Sequence, residues 1–430
     1  MGSGAIISVL QALEEDIIKC MKCGNCQAVC PLYAETRSEP AVARGKVRLA
    51  GAVLKGEVEY TQRLAEHFDL CLTCMACVAN CPCGVRVNEI VMAARAVVAE
   101  KIGLSMPKRA AVAGLSRPAL LDAGIRAASL TQGLLFKTGE RGMLPRFPIG
   151  LEMRRVVPRL PGYSLKEILK EGYSVPAPVK RVAFFAGCVT CYVYTGVGRA
   201  VVDVLLGHGV EVVFPKEQHC CGAPVLLAGD RKTAAAMARS QVEIFSAVGA
   251  DAVVTVCGTC GESFRHYYPQ LLDGGKDLQR AKLLAERTFD ITEFLTDVAP
   301  LKKDLLGPLE ETFTYHEPCH LGRGLGVYEQ PVRLLAAVPG AEYAPLKQPG
   351  RCCGGAGFFG LKHYDLSLKV LQTKLRDIAT TGAHQVVTGC GSCRIHLDDG
   401  LARHRMPHQV LHTVEMLARS MREVSRGWGY

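Results

Sequence analysis

Apolar positions along this chain follow two rhythms, and the change comes near residue 180. Before it, apolar side chains recur at helical spacing. Residues 5–19 alternate apolar and acidic groups in a roughly helical pattern, and 43–55 and 61–68 read as helices of mixed polarity. Residues 87–101 lay Val87, Ile90, Val91, Ala94, Val97 and Val98 along one face. From 102 to 180 helical pieces are separated by Pro107, Pro118, Pro145, Pro148, Pro158 and Pro161, and the stretch closes on the Pro-rich run 174–179. Proline does not continue a helix, so this run reads as a domain boundary. Short β-branched runs then alternate with helices: strands over 181–186, 211–214 and 251–256, helices over 197–207 and 232–248. The order repeats, with strands over 312–315 and 384–388 and a helix over 364–380. Such alternation predicts α/β units with parallel sheets.

At 430 residues, length allows about two to three domains. Hydrophobic residues at 49% and charged residues at 21% describe an ordinary globular protein. The most apolar stretch, 110–136, is broken by Arg117, Pro118, Asp122 and Arg126, so no spanning helix is expected. The net charge of +10 is partly concentrated between 137 and 181, in Arg141, Arg146, Arg154, Arg155, Arg159, Lys166, Lys170 and Lys180. That segment is either a solvated basic surface or a face for an anionic membrane or acidic partner. One Trp and no recognised motif argue against nucleic acid.

Twenty cysteines change the picture. They mean either a secreted disulfide scaffold or metal ligation in a reducing compartment. The first twenty residues lack a basic start and their apolar run is interrupted by acids, a poor export signal, so reduced thiols in the cytoplasm are expected. Cys20-x2-Cys23-x2-Cys26-x3-Cys30-Pro31 returns forty residues later as Cys71-x2-Cys74-x2-Cys77-x3-Cys81-Pro82. This is the spacing of bacterial two-cluster ferredoxins, in which three close thiolates wrap three corners of a cubane and the fourth comes from the other motif. It assigns Cys20, Cys23, Cys26 and Cys81 to one [4Fe-4S] cluster, and Cys71, Cys74, Cys77 and Cys30 to a second. Zinc sites instead pair two separated Cys-x2-4-Cys halves.

A second pattern is also written twice. Cys188, Cys220-Cys221-Gly222 and Cys257-x2-Cys260 reappear as Cys319, Cys352-Cys353-Gly354 and Cys390-x2-Cys393, at offsets of 131, 132 and 133 residues. Each half places its first cysteine and its Cys-x2-Cys pair just after predicted strands, where ligands of parallel sheets sit. A single zinc needs four ligands and each half offers five.

The paired motif resembles the cysteine-rich CCG domain of heterodisulfide reductase catalytic subunits. Combined with the ferredoxin motifs and the Arg44-Gly45 dipeptide, it resembles the iron–sulfur subunit of glycolate oxidase, and the lactate and anaerobic glycerol-3-phosphate dehydrogenase subunits of like layout, over roughly 15–400. The resemblance implies an α+β multidomain chain. A helix-rich ferredoxin domain (1–101) and a basic connector (102–180) precede a first CCG domain (181–300) and a second (301–430). It also implies one or two noncubane [4Fe-4S] clusters, on Cys188, Cys220, Cys221, Cys257 and Cys260 and on Cys319, Cys352, Cys353, Cys390 and Cys393.

Cys83 and Cys191 are left over. Cys191 is either a further ligand or a buried free thiol. His219, His316 and His320 flank cluster cysteines, either tuning them by hydrogen bonds or serving the turns. No complete dinucleotide fingerprint follows a strand, so no flavin or nicotinamide is expected on this chain. The implied activity is electron transfer from a FAD-binding 2-hydroxy-acid dehydrogenase subunit to a quinone, an electron-transfer flavoprotein or a membrane partner. The alternative is disulfide reduction at a noncubane cluster.

Overall fold

The computed structural model describes residues 4–427. The chain forms two compact units, each assembled from separated segments. The first contains the chain up to Arg117 with Gly222–Ala236 and Arg351–Gln372, and the second contains Pro118–Cys221, Met237–Gly350 and the chain from Thr373 onward.

The first unit is helical. Gly4–Gln11, Ala43–Leu54, Gln62–Asp69 and Val87–Ile102 surround a core that includes Leu10, Val47, Val53, Phe68, Ile90, Val91 and Val97. These are the helices the apolar spacing predicts, and their ends have local causes. Thr61 accepts a hydrogen bond from the Leu64 amide at 3.2 Å, capping its helix. Gly103, at φ +77°, stops the longest of these four helices. Gly45 answers a different need: a Cβ there would lie 2.1 Å from the Glu39 carbonyl oxygen, so the Arg-Gly dipeptide permits a close backbone approach.

Between the units' main bodies of sequence, Met106–Leu115 and Pro118–Leu135 are helices that begin next to prolines, as helix N-termini tolerate. Residues 136–145 depart from the helical reading. Phe136–Gly139 and Gly142–Pro145 pair as an antiparallel hairpin closed by Glu140 and Arg141. Four residues per strand are too few for a period-two pattern to stand out, and pairing rather than periodicity defines them.

The second unit contains two sheets. In the first, β1 (Gly172–Tyr173), β2 (Lys180–Phe185), β3 (Val210–Val213), β4 (Ala252–Thr255) and β5 (Thr288–Asp290) run in the order β1-β3-β2-β4-β5. In the second, β6 (Glu311–His316), β7 (Ala341–Tyr343), β8 (Gln385–Thr388) and β9 (Gln409–His412) run in the order β9-β8-β6-β7. Only β1 is antiparallel. Setting β1 aside, both sheets have the sequential order 2-1-3-4, so the duplication extends from the cysteines to the topology. The short strands β5, β7 and β9 carry too little pattern to be predicted from sequence.

Val182, Phe184 and Val201 from the first half share one core with Phe313, Tyr315, Val387 and Leu417 from the second. Helix Thr195–Gly207 packs on Thr413–Gly427. Among the described residues, no helix is long and apolar enough to cross a membrane.

Candidate metal centres

In the helical unit the two ferredoxin-type motifs adopt the same local conformation. Lys22 and Gly24 have positive φ (58° and 88°), and so do their counterparts Thr73 and Met75 (50° and 58°). Positive φ is strained for residues other than glycine, so two copies of it signal a wrapped loop and not an accident of packing. Such a loop turns amides and thiols toward a common centre. The short helices Asn25–Val29 and Ala76–Ala79 pack together, and the Asn80 side-chain amide donates to the Asn25 carbonyl at 3.0 Å.

Cys30, Cys71, Cys74 and Cys77 line one cavity, together with Lys46 and Thr73. Burial pushes the Cys30 thiol up to about 11 and the Cys77 thiol well above its usual range, with the other sulfurs of the set adding to both. Of the other set, Cys20 lies close enough to Cys26 to raise it further, after burial. Cys23 is exposed and Cys81 half-buried.

Two cations stand behind these loops that sequence reasoning did not single out. Arg95 is buried, and its guanidinium donates to the carbonyls of Phe68 (3.1 Å), Cys71 (2.7 Å) and Leu227 (3.1 Å). Leu227 follows the Cys220-Cys221-Gly222 corner, so one side chain ties that segment to a ferredoxin loop. Lys46 donates to the His67 carbonyl at 3.1 Å, and burial pulls its ammonium down to about 8. The signal was present in the sequence: a lone cation within an apolar helical face.

In the second unit the first five cysteines converge. Cys188 and Cys221 both touch Cys220 and push its thiol up, ahead of burial. Cys221 also touches Cys260, which in turn touches Cys257. The Cys260 and Cys390 thiols hold Cys257 well below its usual range against the effect of burial, with the amides of Cys260 and Thr259 assisting. Cys257 caps helix Gly258–Glu262 and Cys390 caps Gly391–Arg403, with nearly equal backbone angles (φ −149°, ψ 115° and φ −151°, ψ 120°). Helix N-termini favour thiolates.

The corner before Gly222 is held from below. Gln218 is buried, accepts from the Ala186 amide at 2.9 Å and donates to the carbonyls of Phe184 (3.1 Å) and Pro215 (2.9 Å). Tyr268 donates to the Cys221 carbonyl at 3.0 Å. In the second half Lys374 does comparable work, donating to the Pro349 carbonyl at 2.9 Å.

In the second half Cys319, Cys390 and Cys393 follow β6 and β8 in this unit, while Cys352 and Cys353 belong to the helical unit's segment. Cys390 and Cys393 touch. His316 ends β6 fully buried, and burial holds its imidazole well below its usual range. His320 contacts the buried carboxylate of Glu262 from the first half. His219 bonds the Cys220 carbonyl at 3.0 Å and Ser240 at 3.1 Å. Cys191 lies among Leu165, Lys166 and Asp122, and burial raises its thiol to about 11. Cys83 packs half-buried on the helical core.

The two sets also meet. The Cys257 and Cys390 sulfurs are 3.8 Å apart. Glycines make this approach possible: a Cβ on Gly258 would lie 2.6 Å from the Leu321 amide nitrogen, and one on Gly391 would lie 2.6 Å from Val189 Cγ1. Each half therefore inserts its first-cysteine turn beside the Cys-x2-Cys helix of the other.

None of the twenty cysteines forms a disulfide. Five thiols linked by successive contacts, all but Cys188 buried, cannot all ionise without a cation to neutralise them, and soft thiolate sets suit iron–sulfur or zinc. The donor sets fit iron–sulfur clusters.

Comparison with known proteins agrees. Residues 182–265 and 313–398 match the cysteine-rich domain family, and 16–85 match the 4Fe-4S dicluster domain. A probable glycolate oxidase iron-sulfur subunit of Bacillus subtilis is 28% identical, with 94% of each chain covered. An uncharacterised iron-sulfur protein of Methanocaldococcus jannaschii is 30% identical over 94% of this chain and 72% of its own. The chain belongs to the glycolate oxidase iron–sulfur subunit family. Lactate utilization protein A 2 of Bacillus cereus is also similar, 32% identical over 56% of this chain and 99% of that one. A hypothetical protein from Helicobacter pylori shares the fold, with a TM-score of 0.50, 8% identity and coverage of 98% of this chain and 77% of that one. Membership in this family makes the chain an iron–sulfur subunit of an oxidoreductase.

Proposed function

We propose that this subunit relays single electrons from a FAD-binding dehydrogenase subunit that oxidises a 2-hydroxy acid, such as glycolate or lactate, to a quinone or another carrier. Bound clusters supply reversible one-electron chemistry, with potentials set by hydrogen bonds, charge and burial. The chain's own residues would hold four such groups. Cys20, Cys23, Cys26 and Cys81 take one cubane, and Cys71, Cys74, Cys77 and Cys30 the other. The five-cysteine sets beginning at Cys188 and Cys319 take two noncubane clusters. A 2-hydroxy acid loses two electrons at once, and a flavin can pass them on singly to such a chain.

The observation that carries this reading is the 3.8 Å contact between Cys257 and Cys390. Electron tunnelling falls steeply with distance, and a sulfur from each set in contact gives the shortest path between them. Arg95 adds a covalent and hydrogen-bonded path from Cys71 to the segment after Gly222. The boundaries expected from sequence, at 101, 180 and 300, serve this reading as functional modules: donor-side clusters, a connector and two terminal sites. The connector supports contact with an anionic membrane face, because Leu130, Leu134 and Phe147 are exposed beside exposed Lys137, Arg141 and Arg146.

The test is anaerobic reduction of the purified chain. Adding a 2-hydroxy acid together with its FAD-binding subunit is expected to bleach the cluster absorbance, and either addition alone is not. Bleaching by dithionite but not by the flavoprotein, with turnover of a disulfide substrate instead, would sink the relay in favour of disulfide reduction.

A further inference from the structure

The duplication is close to exact in the strands that lead into the sites, and this makes one departure informative. Strand β2 (Lys180–Phe185) and β6 (Glu311–His316) correspond residue for residue at the same 131-residue offset as Cys188 and Cys319. Their last residues therefore occupy equivalent places. In the first half this is Phe185, packed in an aromatic cluster with Phe264 (centroids 4.8 Å apart) and Phe245 (5.6 Å). In the second half it is His316.

His316 is completely buried, and neither ring nitrogen has a hydrogen-bond partner. A buried imidazole left in that state is destabilising, so an unused one indicates a missing partner. The surrounding side chains do not supply it. Lys374 and Arg323 are cations, which cannot accept a hydrogen bond from the ring. A His316 nitrogen and the Cys393 sulfur lie within 4.8 Å of each other. The two make no hydrogen bond, yet they are close enough to share one metal ion.

We infer that His316 is a nitrogen ligand of the second five-cysteine site, so that the two halves hold chemically different centres. The inference rests on the reading that both five-cysteine sets hold iron–sulfur clusters. Imidazole is a neutral donor where thiolate is an anion, and a cluster with nitrogen ligation is easier to reduce than one held by thiolates alone. The second site would then be the electron-accepting end of the pair joined at Cys257 and Cys390, and β6 would set the direction of transfer.

The test uses the full-length chain, purified anaerobically and reconstituted with iron and sulfide. Iron is counted first, and pulsed EPR is then recorded on reduced protein grown with ordinary and with nitrogen-15 histidine. The expected result is about sixteen irons per chain and one non-ferredoxin signal with a directly bound nitrogen that changes on histidine labelling. His316→Phe, which copies the first half, should abolish that coupling and lower the midpoint potential of that signal alone. His316→Asn should abolish it as well, which guards against a packing defect specific to Phe. Sixteen irons with no histidine nitrogen on either signal would overturn the inference and leave the four-cluster reading standing. Coupling of only the weak size that backbone amides give would overturn it too. About eight irons would overturn the four-cluster reading and the inference with it.

Discussion

Individual side chains define each site by what they touch. Cys257 and Cys191 are both buried thiols in the first half, but Cys257 touches the Cys260 and Cys390 sulfurs while Cys191 faces Leu165 and Lys166. Cys257→Ser is therefore expected to lose about four irons per chain and Cys191→Ser none, as iron and acid-labile sulfide assays would register. Arg95 acts at the same scale. Replacing it by Met leaves the carbonyls of Phe68, Cys71 and Leu227 without their shared donor. The expected loss is about 3 kcal/mol or more of stability, read by denaturant unfolding. Loss of one cubane signal should accompany it, since Cys71 moves with its carbonyl.

Among the elements, the two helices that open within the Cys-x2-Cys pairs matter most, because the halves approach through them. Gly258 and Gly391 start these helices, and each faces the other half at a distance no side chain could occupy. Gly258→Ala forces its Cβ against the Leu321 backbone and is expected to destabilise by about 1–3 kcal/mol, measured by thermal melting. It should also widen the Cys257–Cys390 contact and slow transfer between the two sets in stopped-flow reduction. Gly114→Ala is the control: it sits within a helix, nothing lies within 4 Å of an added Cβ, and the change should be neutral or slightly stabilising. The strands themselves were legible because β2, β4, β6 and β8 are buried β-branched and aromatic runs. The hairpin at 136–145 was not, since its pairing partner rather than its own period specifies it.

At the scale of the whole molecule, charge and exposed apolar surface set what the subunit can meet. Several of the basic residues between 137 and 181 are paired within the fold: Lys166 with Asp122, Arg155 with Asp399, Arg181 with Glu211. The part that stays open is smaller, with Leu130 80%, Leu134 73% and Phe147 56% exposed. Cosedimentation with vesicles containing anionic lipid is expected at low salt and should weaken as salt is raised. Leu134→Glu together with Phe147→Glu should abolish it without changing iron content. Binding unaffected by either change would place the interaction elsewhere.

The sequence by itself determined the helices and main strands, the two doubled cysteine patterns and the kind of metal they suit. All of these are local: burial period, cap residues and thiolate spacing act over a few residues or repeat at a fixed offset. Only the tertiary structure decided that Cys257 and Cys390 touch, that Arg95 joins three distant carbonyls, and that His316 has no partner where Phe185 has two. Those facts depend on the 2-1-3-4 crossing order and on glycines that let backbones approach. Residues more than a hundred positions apart meet through that crossing, and no spacing along the chain encodes it.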